Sequence, residues 1–413
     1  MNNNTKTFTK QITVFCISAP LSLAYSIFVL FTSRNYSKWL ISFSLSLFFL
    51  YLPLLYDTAS NFKKYIQCKN YNCEDEGVYI DAALKLNEYI GVSFFGYIFI
   101  LTSISFYVFL KIHNDRVKKE TDTGNLAFLT SVLLLSFVFR DIMDLHRNYI
   151  SISVLVYAVY MIINCELKVG AKQVFTSIPL ISLFILSAFL HESSLIIIAM
   201  IFISYSYSRI NFLKKYDVFV LLVLLLSTFF IRKDLAAVVN LMPLPDNIKG
   251  IASFYLESEK WGGIDYSHTG NIFRKLIDVA FIFTCVISLV KSGISRFSVI
   301  LILSLCALVF VFFDYRTLYE RSFIALSTIL VLNLLYYPIK NEFKVFIILA
   351  FIVKFFVYNF IVFGSFFSGN FDEVNDLELS EKKHYKYLYL PPIYLIDQGA
   401  FVIDEDRVLY KLK

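Results

Sequence analysis

Charged residues are scarce in this sequence of 413 residues. They make up 17% of it, compared with about 25% in a typical soluble domain. Hydrophobic residues make up 58%, and they include 44 Phe and 28 Tyr. Such a composition excludes an ordinary soluble globular protein, and we expect the chain to reside in a lipid bilayer.

Several catalytic and binding motifs are absent. His191-Glu192 is not followed by the second His of the H-E-x-x-H zinc motif, and no Cys/His cluster has zinc-ligand spacing. The sequence also lacks the phosphate-binding G-x-x-x-x-G-K-[ST] loop, which argues against an ATP-driven pump. The net charge of +6 is spread over small clusters between apolar runs. We therefore expect no nucleic-acid partner.

Apolar runs fill most of the length, and each is long enough to cross a hydrocarbon core of roughly 30 Å as a helix. This pattern predicts an all-α, polytopic integral membrane protein with about twelve transmembrane helices. No repeat of solenoid period and no Gly/Ser linker divides the chain, so we expect one membrane domain over residues 1–369 and a polar tail over 370–413. The predicted spans are 12–31, 39–56, 90–110, 125–139, 148–164, 174–190, 193–207, 217–231, 273–290, 297–313, 322–338 and 343–367.

Lys and Arg orient these spans, because short basic loops stay in the cytoplasm. The opposite set of loops then faces outward, and it includes the two long loops 57–89 and 232–272. Cys68 and Cys73 share the first of these outer loops, where they either form a disulfide or remain free thiols. The residues that mark the cytoplasmic side are Arg34, Lys38, Lys111, Arg116, Lys118, Lys119, Lys168, Lys172, Arg209, Lys214, Lys215, Lys291, Arg296, Lys340 and Lys344.

Ionisable residues concentrate at the predicted outer face, although such groups are costly at membrane depth unless they are paired or hydrated. Residues 140–147 contain two Arg, two Asp and one His, and residues 314–321 repeat this concentration. Arg suits the binding of phosphate oxygens in fixed geometry. The alternative is that these groups pair with one another and anchor helix ends in the headgroup layer. His191, in a short turn between two spans, is a candidate base, phosphate-binding donor or helix cap.

Residues 147–195 resemble a known family. Arg147 opens a helix, a basic turn with Lys168 and Lys172 follows, and the next apolar helix ends in Ala-Phe-Leu-His-Glu-Ser-Ser-Leu. This order resembles the EpsG/Wzy-like family of bacterial polysaccharide polymerases. The segments 75–79 (Asp-Glu-Gly-Val-Tyr) and 320–323 (Glu-Arg-Ser-Phe) resemble two further parts of the family pattern.

The resemblance implies a membrane-embedded glycosyltransferase of GT-C type in the bacterial inner membrane, with no metal and no cofactor. Its substrates would be oligosaccharide repeat units linked to undecaprenyl diphosphate, joined at the periplasmic face to make O-antigen, capsule or exopolysaccharide. A chain-length regulator protein and membrane lipids are the expected partners. The Arg-x10-Gly loop pattern of some O-antigen polymerases does not start at Arg140, Arg147, Arg232 or Arg274, so a shuttling of substrate between two such loops is not expected.

The resemblance also implies residue roles. Polymerisation needs cations that stabilise the departing diphosphate. Arg147 and Arg321 are the first candidates for this role, and Arg140 and Arg316 are the second.

The acceptor hydroxyl in turn needs a group that orients or deprotonates it. His191 is the candidate base and Glu192 its competitor. Asp75 and Tyr79 are candidates for binding sugar hydroxyls or shaping the acceptor cleft.

A flippase for the same lipid-linked glycan is the main alternative. It would need ionisable groups along a path through the spans, whereas few are evident in the predicted spans, and Lys354 is the exception. A glycan ligase or a membrane O-acyltransferase shares the need for His and Arg and stays open as a third alternative.

Overall fold

The computed structural model describes residues 22–33, 36–50, 56–71, 77–138, 141–142, 145–168, 178–211 and 269–362, with a few isolated positions between 214 and 256. These residues are predominantly helical, and no β-strand occurs among them. The all-α prediction is therefore confirmed for this part of the chain.

The helices are numbered here in chain order. They are α1 (Ser22–Thr32), α2 (Lys38–Leu50), α3 (Tyr56–Tyr71), α4 (Val78–Ile90), α5 (Phe94–Val117), α6 (Thr123–Leu135), α7 (His146–Lys168), α8 (Ile178–Leu190), α9 (Ser194–Arg209), α10 (Thr269–Lys291), α11 (Arg296–Val311), α12 (Arg316–Tyr336) and α13 (Asn341–Phe356). A π-helix, Val357–Val362, follows α13 directly.

Within these described ranges, three helices are long and apolar enough to cross a membrane. They are α5, the segment His146–Cys165 of α7, and α12. Four shorter apolar helices, α6, α8, α9 and α11, coincide with further predicted spans. These helices indicate a membrane-integral protein, while the full number of about twelve spans stays a prediction.

The predicted outer loop 57–89 contains two helices, α3 and α4. α4 ends at Gly91, whose φ of 72° lies in the left-handed region that favours glycine. Ser93 then caps α5, because its hydroxyl accepts a hydrogen bond from the Gly96 N–H at 3.2 Å. The third span therefore starts at Phe94 and not at the predicted Ile90, since the apolar Ile90 and Val92 conceal the break in the sequence.

Cys68, near the end of α3, is disulfide-bonded. Its predicted partner Cys73 lies outside the described residues, so the pairing of these two cysteines stays a prediction. A disulfide is characteristic of an oxidising compartment, in agreement with an outward-facing loop. Cys165, Cys285 and Cys306 are free thiols.

The chain divides into two compact units. Unit 1 comprises Met1–Glu192 and Phe355–Lys413, and unit 2 comprises Ser193–Lys354. α7 is largely enclosed within unit 1, and α12 within unit 2. By contrast, α8 exposes Ile178 and Phe189 at its surface, as expected for a helix that faces lipid. The predicted domain 1–369 and tail 370–413 stay predictions.

Candidate functional site

A buried histidine fixes the beginning of α7. His146 is completely buried. Its Nδ1 lies 2.9 Å from the hydroxyl oxygen of Tyr79 in α4, and its Nε2 lies 3.0 Å from that of Thr102 in α5. Because a neutral imidazole has one donor and one acceptor nitrogen, two hydroxyl groups satisfy it fully. His146 thereby joins three helices of unit 1, and neither of its nitrogens is available to a substrate.

Arg147, a predicted diphosphate ligand, is the second residue of α7. Its guanidinium carbon lies 5.7 Å from the centroid of the Tyr79 ring. Its Nε is buried, and no group in the described part of the chain makes a hydrogen bond to it. The first turn of α7 contains no acidic residue, although a helix N-terminus favours acids over cations. A guanidinium at a helix N-terminus, where the helix dipole is positive, is suited to bind an anion.

His191 lies at the same end of unit 1 as Arg147. Ser151 of α7 and Ser187 of α8 have their hydroxyl oxygens 2.9 Å apart, and each can donate to the carbonyl oxygen of the other. The two helices run antiparallel, because only residues 169–177 connect them. Arg147 and His191 each lie about one helical turn beyond this serine contact, in the same direction.

The predicted residues of unit 1 differ in their exposure. His191 is buried, and its backbone N–H donates to the Ser187 carbonyl at 3.1 Å. Glu192 is exposed. Tyr79 is buried and its hydroxyl is engaged by His146, which favours a structural role over the predicted contact with sugar. Asp75 and Arg140 lie outside the described residues.

Unit 2 contains a second cluster of ionisable residues, where α12 begins. Nη2 of Arg274 donates to Oε1 of Glu320 at 2.9 Å. Nε of Arg316 lies 3.8 Å from the same oxygen. Arg316 is the first residue of α12 and its side chain is 54% exposed, so it is accessible to a ligand. Arg321, partly buried, follows Glu320 directly.

The deeper half of this cluster is completely enclosed. Nζ of Lys275 donates to the Phe313 carbonyl at 2.8 Å and lies 2.6 Å from the centroid of the Tyr319 ring. The Tyr319 hydroxyl donates to Oδ2 of Asp278 at 2.6 Å. One aromatic side chain therefore contacts a buried cation through its face and a buried carboxylate through its hydroxyl.

The predicted site residues did not include Arg274, Lys275 and Asp278, although all three fall in the predicted span 273–290. Their spacing indicates a polar helix face, because residues 274 and 278 are four apart and lie on the same side of the helix. Lys354, the one exception that was noted, is buried with its Nζ 4.5 Å from the Phe281 ring centroid. The spans of unit 2 thus contain more ionisable residues than expected, as a transporter would require.

A comparison with protein families identifies the chain. The family model of EpsG matches residues 76–371. The chain belongs to the EpsG family. The resemblance found in the sequence is therefore confirmed, and EpsG membership indicates a role like that of a polysaccharide polymerase. No curated protein and no solved structure matches the chain.

The EpsG match begins just before α4 and extends past the π-helix. It includes Arg147 and His191 in unit 1 and Arg316 and Arg321 in unit 2, whereas α1, α2 and α3 precede it. Among the residues described, no group of three or more His, Cys, Asp or Glu side chains could hold a metal ion.

Proposed function

We propose that this EpsG-family protein is a polysaccharide polymerase acting on undecaprenyl-diphosphate-linked repeat units at the periplasmic face of the bacterial inner membrane. The acceptor hydroxyl oxygen attacks the anomeric carbon of the growing chain, and the bond from that carbon to the diphosphate oxygen breaks. The hydroxyl proton passes to a base, and undecaprenyl diphosphate leaves. The observation that carries this proposal is Arg147, held at the start of α7 without an acidic partner in the first turn.

Arg147 would stabilise the negative charge that develops on the departing diphosphate. A cation and helix N–H groups that are already in place need no reorganisation as the transition state forms, which makes such groups effective in a site that excludes water. They supply positive charge of the kind that a metal ion supplies in other glycosyltransferases. We therefore propose that the reaction is independent of metal.

His191 is the preferred base. It lies at the same end of the α7–α8 hairpin as Arg147, and burial shields it from bulk water. Glu192 is the second choice because it is exposed to solvent. His146 is unsuitable, since both of its ring nitrogens are already hydrogen-bonded.

In unit 2, Arg316 and Arg321 are proposed to bind diphosphate oxygens of a lipid-linked substrate.

Alanine replacement tests these roles. In a strain that lacks the gene, complementation with Arg147→Ala, His191→Ala or Arg321→Ala should give surface polysaccharide without long chains. Arg209→Ala is the matched control, because Arg209 also lies over a tyrosine ring, 4.8 Å from the centroid of Tyr205, but on the predicted cytoplasmic side. The proposed roles of Arg147, His191 and Arg321 are wrong if the three variants are made at normal levels and still yield long chains.

A lipid-linked-glycan flippase is the second candidate. The buried Lys275, Asp278 and Lys354 favour it, because ionisable residues inside spans often line a transport path. Deletion of the gene separates the two functions: loss of a polymerase leaves single repeat units on the surface lipid, whereas loss of a flippase leaves almost none. Purified protein that forms long polymers from lipid-linked repeat units alone would exclude a glycan ligase.

A further inference from the structure

Helices α2 and α5 of unit 1 share an exposed apolar stripe. The Trp39 and Tyr107 rings stack with centroids 4.1 Å apart, and those of Phe43 and Phe99 with centroids 5.8 Å apart. These two contacts show that the helices run antiparallel. Trp39 is 48% exposed, and the stripe continues along both helices through three further exposed residues. These are Phe43, Ile104 and Ile100.

Lysines gather at the Trp39 end of this stripe. Lys38 precedes Trp39, Lys111 lies one turn beyond Tyr107, and Lys118 directly follows the last residue of α5. Nζ of Lys111 pairs with Asp115 at 3.0 Å. Among the residues that the structure describes, neither Lys38 nor Lys118 forms an ion pair.

The three lysines act on one another electrostatically. Burial lowers the pKa of Lys38, the charges of Lys118 and Lys111 lower it further, and the charge of Asp115 opposes them. The Asp115 carboxylate interacts with Lys111 and Lys38, and it also accepts a hydrogen bond from the Tyr160 hydroxyl at 2.7 Å. This end of the stripe therefore has an excess of positive charge that an anion would relieve.

We propose that Lys38, Lys111 and Lys118 bind the phosphate of an anionic phospholipid, whose acyl chains lie along the stripe from Trp39 to Ile100. The shape and the charge together favour a lipid, because a free phosphate would contact the lysines but not the apolar stripe. From Lys111 to Ile100 the stripe is about 16 Å long, close to half of the roughly 30 Å hydrocarbon core. Trp and Tyr at the boundary are typical of the headgroup layer.

This lipid site is separate from the candidate site at Arg147. Thr102, which contacts His146, is buried, whereas Ile100 and Ile104 of the stripe are exposed, so the stripe and the His146 contact lie on different faces of α5. The lipid site does not depend on the proposed polymerase activity, because its ligand is a membrane phospholipid and not a lipid-linked glycan.

Competitive lipid binding to the purified full-length protein tests the proposal. Native mass spectrometry would compare retention of phosphatidylglycerol with that of phosphatidylcholine in mixed micelles. The variant is Lys38→Gln with Lys118→Gln, which keeps the Lys111–Asp115 pair. Since each lysine contributes about fivefold to the binding of anionic lipid, the double variant should retain phosphatidylglycerol about twenty-five-fold less well.

The matched control is Lys291→Gln with Lys340→Gln. It removes the same charge from two exposed lysines of unit 2 on the same predicted side of the membrane, and its retention of phosphatidylglycerol should equal that of the unaltered protein. The proposal is overturned if Lys38→Gln with Lys118→Gln binds phosphatidylglycerol normally, or if the control loses as much. It is also overturned if inorganic phosphate raises the melting temperature as much as phosphatidylglycerol does.

Discussion

The Nδ1 of His146 lies 2.9 Å from the hydroxyl oxygen of Tyr79, and this contact ties the first turn of α7 to the first turn of α4. Thr102 holds the other ring nitrogen. The next residue, Arg147, is therefore placed by a histidine that joins its own helix to two others. We interpret His146 as a positioning residue for the proposed diphosphate ligand.

His146→Gln should lower the rate of polymerisation and leave its pH profile unchanged. The reason is that glutamine disturbs the placement of Arg147 without removing a group that exchanges a proton with the substrate. His191→Gln should instead remove the dependence on a titrating base. Rates measured with purified protein and lipid-linked repeat units over a range of pH would separate the two. A His146→Gln variant that loses its pH dependence would identify His146 as the base and contradict the positioning role.

Tyr79→Phe tests the same contact from the other side. It keeps the ring that faces Arg147 and removes the hydroxyl, so His146 loses one hydrogen bond in a buried position. Leaving such a group unsatisfied costs about 1–3 kcal/mol. We expect a lower melting temperature and a moderate loss of activity. Tyr97→Phe is the control, because it keeps the edge contact to Tyr79, with ring centroids 5.1 Å apart, and leaves the His146 bonds intact. Equal effects of both replacements would argue against the contact.

The Ser151–Ser187 contact should couple α7 to α8. Measured hydrogen bonds between membrane helices average about 0.6 kcal/mol, so the two alanine replacements should show a coupling of about that size in a double-mutant cycle. Ser153→Ala is the control, because the Ser153 hydroxyl donates to the Tyr149 carbonyl within α7 itself, at 2.8 Å. If Ser151→Ala and Ser187→Ala are strictly additive in thermal unfolding, the serine pair does not hold the hairpin together.

The apolar helices were predicted well, because in a membrane protein a long apolar run such as that of α12 forms a membrane-spanning helix. It did not predict α3, whose residues Tyr56–Tyr71 are polar on average. Nor could it predict the His146 site, since its partners are 44 and 67 residues distant in the chain. Such contacts depend on how helices pack, and the hydrophobic periodicity of the sequence does not predict them. Lys275 and Asp278 were not predicted for another reason. The apolar residues around them dominate the mean hydropathy of the predicted span.

Lys275 and Asp278 should stabilise unit 2 as a pair around Tyr319. Removing one charge from a buried network leaves the other uncompensated, which costs about 3–5 kcal/mol. Lys275→Met and Asp278→Leu should each lower the melting temperature strongly, and the double variant should lose less than the sum of the two. Thermal unfolding in detergent would measure this. Additive losses would show that the two charges do not depend on each other.

Glu120 closes the turn between α5 and α6. Its Oε1 accepts hydrogen bonds from the N–H groups of Thr121 and Asp122 at 3.2 Å and 3.3 Å, and its Oε2 lies 3.3 Å from Nη2 of Arg116. Burial acts to raise the pKa of this carboxyl, but the hydrogen bonds from Asn125 and Asp122 and the Arg116 charge outweigh it. The pKa of Glu120 is therefore below its ordinary value of 4.5.

The lowered pKa of Glu120 gives a prediction with a definite sign. A carboxyl whose pKa is lower in the folded than in the unfolded protein stabilises the fold above pH 4.5, its ordinary value, and this contribution is lost as the pH falls through the folded pKa. Glu120→Gln should therefore reduce the melting temperature at neutral pH, and the gap to the unaltered protein should close as the pH falls below 4.5. Glu88→Gln, at an exposed position of α4, is the control. A gap for Glu120→Gln that stays constant or widens on acidification would show that the carboxylate charge does not stabilise this turn.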